Sequence, residues 1–206
     1  HGVSGEFEEE MLRYQVPEWY IDSCKMIQYM FPKAHASAYV IMALRIGWFK
    51  VYRPLQYYAA YFSRRANVFD IIAMAGGYSS INLRVKELED LIKIKRASNK
   101  EIDIYNCLLL ALEMTARGFT FQQIDIEKSD CRDFLIEGNS LIIPFRAMDN
   151  LGEATAKSIT DARSEAMFSS KKDIMRRTKI NTTLFEKLSE IGAFKGLPNE
   201  DQIGLF

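Results

Sequence analysis

The sequence predicts a mainly α-helical protein carrying a small β insert, on three observations. Apolar residues recur at helical spacing through the first 117 positions, alternation with period two replaces it after Gly118, and helical spacing returns from Arg146. With 48% hydrophobic and 26% charged residues, 206 residues can bury a core, which excludes disorder as the dominant state. The length suits one ordinary domain or two small ones.

Taken in order, residues 6–15 read as a short acidic helix ended by Pro17, and a second helix runs from about Trp19 to Tyr29. Phe31-Pro32 breaks it, because a proline pushes its predecessor out of the helical region. Ala34 to Tyr52 carries aliphatic and aromatic residues at helical spacing, and Pro54 opens a further helix through Arg65. Gly76-Gly77 is a break, Ser80 begins a helix to about Lys95, and Glu101 to Arg117 is an amphipathic helix closed by Gly118. Phe119 to Ile126, Phe134 to Ile136 and Leu141 to Ile143 read as short strands, the last two joined by a Gly138-Asn139 turn. The remainder is helical in short pieces. The domain reading is a helical region over 1–118, a β insert over 119–145, a hairpin-bearing region over 146–196 and a tail over 197–206.

Lysine plus arginine and aspartate plus glutamate both total 27, so the chain is formally neutral, yet the charge is segregated. No acid lies between Asp22 and Asp70, where an even spread would put about six. The same window holds seven cations, among them Lys25, Lys33, Arg45 and Lys50, and eleven aromatic residues. Cations interleaved with aromatic faces suit phosphates and stacked bases, although a helix pair with solvated cations gives the same pattern. The acids gather instead at Glu6 to Glu10 and in residues 119–140, which carry five acids against two cations. Such a field steers a polyanion to one face.

Other classes are poorly supported. No apolar run approaches the roughly 18 residues of a membrane helix, and no leader marks export, so no membrane partner is expected and a cytoplasmic location is. Cys24, Cys107 and Cys131 are scattered, no C-x-x-C pair exists, and His1 and His35 are the only histidines, which argues against a disulfide framework or a zinc site. Asp125 and Glu127 alternate on an expected strand as a metal-binding pair would, or as the wet side of an edge strand would. No phosphate-binding glycine loop or nucleophile elbow is present. The first residue is His1, so the chain reads as processed or as cut from a longer one.

Three motifs carry chemistry. In Tyr29-Met-Phe-Pro-Lys-Ala-His-Ala-Ser-Ala-Tyr39, small residues open a helix behind Pro32, with Lys33 and His35 beside its first N–H groups and Tyr39 one turn beyond His35. This suits a triphosphate and a stacked ring; close packing of two helices through alanines is the equal alternative. Ala147-Met-Asp-Asn-Leu-Gly-Glu-Ala-Thr-Ala-Lys-Ser-Ile159 describes a helix-hairpin-helix whose turn, Leu151-Gly152, can hold a DNA phosphate without reading sequence. Asn150 stands where a first glycine is usual. Lys157 and Arg163 support the grip, followed by a cationic run of Lys171, Lys172, Arg176, Arg177 and Lys179. Finally, Gln202-Ile-Gly-Leu-Phe206 resembles a peptide that docks a partner's pocket through Leu205 and Phe206.

The runs Val16-Pro-Glu-Trp-Tyr-Ile-Asp-Ser-Cys24, Met30-Phe-Pro-Lys-Ala-His-Ala36 and Phe49-Lys-Val-Tyr-Arg-Pro54 closely resemble the C-terminal part of PolC-type bacterial DNA polymerase III. The likeness continues through Gly138-Asn-Ser-Leu-Ile142 and the hairpin to the final residues. It implies a fingers-like region over 1–118 that positions the incoming nucleotide through Lys33 and His35, and Tyr39 and Arg45 on the same helix are expected to bind the nucleotide with them. It further implies a duplex-binding hairpin region and a sliding-clamp-binding tail at Gln202, Leu205 and Phe206. The implied partners are primer-template DNA, deoxynucleoside triphosphates, the clamp and the remaining polymerase domains, at the bacterial nucleoid. The Mg²⁺-binding palm and the exonuclease of the family would lie upstream, so this chain holds no catalytic residue or metal ligand and is expected to be inactive alone. A stand-alone DNA-binding and clamp-interacting module is the alternative.

Overall fold

A computed structural model describes residues 3–26 and 33–200. They divide into two compact units, parted between Trp48 and Phe49. Tyr29, Phe31 and Pro32, and the tail residues Gln202, Leu205 and Phe206, lie outside the described residues.

In the first unit, α1 (Gly5–Arg13) and α2 (Glu18–Met26) pack together and bury Ile21 and Cys24. Gln15 adopts φ 55° between them, and Pro17 offers its carbonyl to the Tyr20 and Ile21 N–H groups as α2 begins. A salt bridge from Lys25 to Glu8 ties the two helices. The third helix, α3 (Lys33–Tyr52), crosses the division and has no buried residue.

The second unit opens with α4 (Pro54–Arg64), whose Pro54 occupies a first-turn position that needs no N–H donor. A short helix that the periodicity did not separate follows, α5 (Ile71–Ala75), where the Asp70 carboxylate accepts the Ala73 N–H. Then come α6 (Gly77–Lys93) and α7 (Asn99–Ala116), the latter begun by a reciprocal Ser98–Glu101 capping box. Gly118, at φ 86°, turns the chain out of α7 in a conformation that a Cβ disfavours.

Three short strands follow: β1 (Thr120–Gln122), β2 (Leu135–Glu137) and β3 (Ser140–Ile142). Their order is β1-β3-β2, with β3 parallel to β1 and antiparallel to β2 across the Gly138-Asn139 turn. The first strand is shorter than expected. Beyond Gln122 the alternation reflects burial of Ile124 and Ile126 rather than a ladder, and the Ile126 N–H donates to the Ala193 carbonyl near the chain's end. Asp125 and Glu127 therefore share no strand face: Asp125 Oδ1 accepts the N–H groups of Glu127 and Lys128 in a turn.

After a 3-10 turn, Phe145–Ala147, the chain forms α8 (Glu153–Glu165), α9 (Lys171–Arg177) and α10 (Thr182–Glu190). One core runs from Tyr58 and Phe62 through Leu108, Phe121, Leu141 and Phe145 to Ile159 and Leu188, so strands and hairpin share it with α4–α7. Arg146 joins these parts. Its guanidinium donates to the carbonyls of Phe62 and Ser63, both at 2.9 Å, of Ala66 at 3.3 Å and of Arg132 at 2.7 Å, and lies over the Phe69 ring.

Candidate nucleic-acid interface

The turn before α8 is built by sequence-local requirements. Leu151 is buried as its apolar anchor, and Asn150 takes φ 68°, the left-handed conformation that asparagine tolerates better than most residues. Gly152 precedes α8 with φ −68° and ψ 157°, and no side chain caps the helix. The two following helices differ: the Ser170 hydroxyl accepts the Asp173 N–H at α9, and the Asn181 side chain accepts the Leu184 N–H at α10. Among these three helices, α8 alone presents its opening without a side-chain cap.

Gly152 is not required by conformation. Its φ is ordinary, and a Cβ placed there meets nothing within 4 Å. The absence of a side chain leaves the approach to the α8 backbone open, an arrangement suited to an anion.

The cations assigned to this region separate into two groups. Arg163 and Arg177 turn inward. Arg163 donates to the Ile126 carbonyl at 3.1 Å, and burial lowers its pKa from the ordinary value. Arg177 donates to the carbonyls of Ala162 and Ala166 at the end of α8, pairs with Asp173 at 3.0 Å and lies over Phe168. The Asp173 side chain is only 4% exposed. Burial pushes its carboxyl up, but hydrogen bonds from Arg177, Arg176 and the Ser169 N–H outweigh that and hold it below the usual range. Lys157, Lys172 and Arg176 are exposed, in contact with Asp161, Glu200 and Asp173 respectively, while Lys171 is half-buried and its N–H donates to the Pro198 carbonyl.

Two further cations border the turn and were not singled out in the sequence. Lys100, from α7, reaches Asp149 at 2.8 Å, and Arg132, from the segment between β1 and β2, reaches Glu153 at 3.4 Å. Their sequence distance from the hairpin, 49 and 21 residues, hid them.

In the first unit, Lys33, His35, Tyr39 and Arg45 are all exposed on α3. The His35 and Tyr39 rings meet edge to face, centroids 4.6 Å apart, as four-residue spacing allows. Lys33, two residues earlier, falls on another side of the helix, and Arg45 stands about 18 Å further along it than Lys33. The structure thus brings His35 and Tyr39 together and spreads the two cations. No group of three or more metal-ligating side chains occurs among the described residues.

A helix-hairpin-helix motif family matches residues 118–203, which takes in the sheet as well as α8–α10. The chain is 50% identical over 205 residues to DNA polymerase III PolC-type of Pediococcus pentosaceus, covering 100% of this chain and 14% of that protein. It is 48% identical over 196 residues to the enzyme of that name from Streptococcus sanguinis, covering 95% of this chain and 13% of that protein. With the Listeria innocua protein of that name, identity is 46% over 205 residues, again 100% of this chain and 14% of the relative. The chain is homologous over its whole length to part of PolC-type DNA polymerase III. It spans about one-seventh of the length of these PolC relatives. The match to PolC covers both units, including α3 with its cation-bearing, acid-free surface.

Among the described residues no helix is long and apolar enough to cross a membrane.

Proposed function

We propose that this chain is the fingers-like and duplex-binding portion of a bacterial replicative DNA polymerase, with the catalytic palm elsewhere in the polypeptide. The hairpin before α8 holds a backbone phosphate of the primer-template duplex through the first N–H groups of α8. Lys157, Lys172 and Arg176 add positive charge, while Arg163 and Arg177 hold the hairpin from behind. On α3, Lys33 and Arg45 neutralise the phosphates of the incoming deoxynucleoside triphosphate, and His35 and Tyr39 pack on its sugar or base. The tail residues Gln202, Leu205 and Phe206 dock on the sliding clamp. Mg²⁺ bound in the palm would supply charge neutralisation for phosphoryl transfer; this chain's part is binding and orientation. The setting is the bacterial cytoplasm, at the nucleoid.

The observation that carries this reading is the uncapped start of α8 behind Gly152, a glycine that folding does not demand. Replacing Gly152 with alanine in the whole natural polypeptide is expected to weaken primer-template binding about tenfold, some 1.4 kcal/mol, with the melting temperature unmoved. Undiminished affinity in a fluorescence-anisotropy titration removes the hairpin from the DNA.

Lys33→Ala addresses the nucleotide. Steady-state kcat/KM for deoxynucleotide incorporation is expected to fall at least tenfold, about 1.4 kcal/mol, while DNA affinity holds. Unchanged kinetics exclude Lys33 from the site.

A further inference from the structure

The hairpin turn is flanked by two carboxylates, Asp149 before it and Glu153 after it, 71% and 70% exposed. Each carries a cation delivered from a different part of the fold. Lys100 Nζ lies 2.8 Å from Asp149 Oδ2, and Arg132 Nη1 lies 3.4 Å from Glu153 Oε1.

Neither cation is explained by local stability. Lys100 occupies the first turn of α7, where the helix dipole disfavours positive charge. Both pairs are open to solvent, the cations 52% and 60% exposed, and such exposed pairs contribute little to stability. The backbone beneath Arg132, by contrast, is firmly held. Its N–H donates to Asp130 Oδ1 at 2.7 Å and its carbonyl accepts from Arg146 at 2.7 Å, so a fixed base presents an exposed guanidinium.

We propose that Lys100 and Arg132 are DNA-backbone contacts bracketing the hairpin turn, each exchanging its carboxylate for a phosphate adjacent to the one held at the start of α8. This rests on the hairpin reading and extends it to two cations outside the helix-hairpin-helix itself. Exchange is cheap because the pairs are exposed, and each phosphate neutralised releases condensed counterions from the duplex. The contact of Arg132 with Glu153 is long, at 3.4 Å, and a guanidinium can also pair bidentately with a phosphate. The proposal widens the grip from one phosphate to three.

The test is equilibrium binding of the whole natural polypeptide to primer-template DNA over a series of salt concentrations. Arg132→Ala and Lys100→Ala are each expected to weaken binding about three- to tenfold and to flatten the log–log salt slope by about 0.9. Glu153→Gln, which frees Arg132, is expected to tighten binding a few-fold. The double variant Arg132→Ala/Glu153→Gln separates contact from charge masking: it should bind more weakly than Glu153→Gln. Equal affinities for those two, or unaltered slopes for both alanine variants, overturn the proposal. Gly152→Ala, run alongside, reports on the hairpin alone. Loss of binding there with unaffected Arg132→Ala and Lys100→Ala rejects the bracket and keeps the hairpin, whereas no effect of Gly152→Ala rejects the reading beneath it.

Discussion

Asp173→Ala is expected to destabilise the second unit by about 3 kcal/mol, because it breaks a buried, doubly paired carboxylate. Asp173 accepts from Arg176 at 2.6 Å, from Arg177 at 3.0 Å and from the Ser169 N–H at 3.3 Å. Arg177, 19% exposed, keeps its carbonyl acceptors on α8 but loses its counter-charge. The cost falls on the packing of α9 against α8, hence on the hairpin's support. For a domain of this size the loss corresponds to roughly 6–12 °C in melting temperature, measured by circular dichroism. A shift under about 2 °C rejects the account. The pH dependence has a defined sign. The native carboxyl titrates below its ordinary 3.8, so its contribution is complete above that pH and disappears as pH falls through the lower native value. The gap between the natural chain and Asp173→Ala should therefore narrow only below about pH 3.8.

The second large effect is expected at Arg146. Alanine there removes four carbonyl contacts and the face of Phe69, and leaves the last carbonyls of α4 without their donor. About 3 kcal/mol is expected, since hydrogen bonds to a charged donor contribute about 1.5–3 kcal/mol each and the loss is shared with water that enters. Lysine should not restore it: one ammonium cannot span the carbonyls of Phe62, Ser63, Ala66 and Arg132 as a planar guanidinium does. Amide exchange should accelerate in residues 62–66 and 130–134 together. Acceleration in only one of these segments contradicts the shared role.

Several features were legible because they are local. Pro54 at a helix start, Gly118 beyond a helix end and the Gly138-Asn139 turn act over a few residues, and α4 and α7 appear close to where their periodicity puts them, whereas α6 begins at Gly77 and takes Ser80 into its first turns instead of starting there. The hairpin was likewise readable, because Leu151, Gly152 and the small residues after them are contiguous. The strand expected through Ile126 failed for a tertiary reason: Ile124 and Ile126 alternate because both are buried, one of them bonded to Ala193, and not because a neighbouring strand pairs with them. The five-residue α5 carried too little periodicity to stand apart, and only the Asp70 carboxylate accepting the Ala73 N–H marks it.

The cationic run 171–179 shows how far composition reaches. As a sequence, Lys171, Lys172, Arg176 and Arg177 are equivalent positive charges. Folding makes Arg177 a tie between α8 and α9, while Lys172 and Arg176 stay at the surface.

By itself the sequence determined the longer helices, the place of the β insert, the hairpin turn and the resemblance to PolC, since each is written in neighbouring residues or in their order. Which arginines face inward, and that Lys100 and Arg132 meet the turn from 49 and 21 residues away, was decided only by the tertiary structure. Partners distant in sequence are chosen by packing of the shared core, and no local spacing encodes that choice.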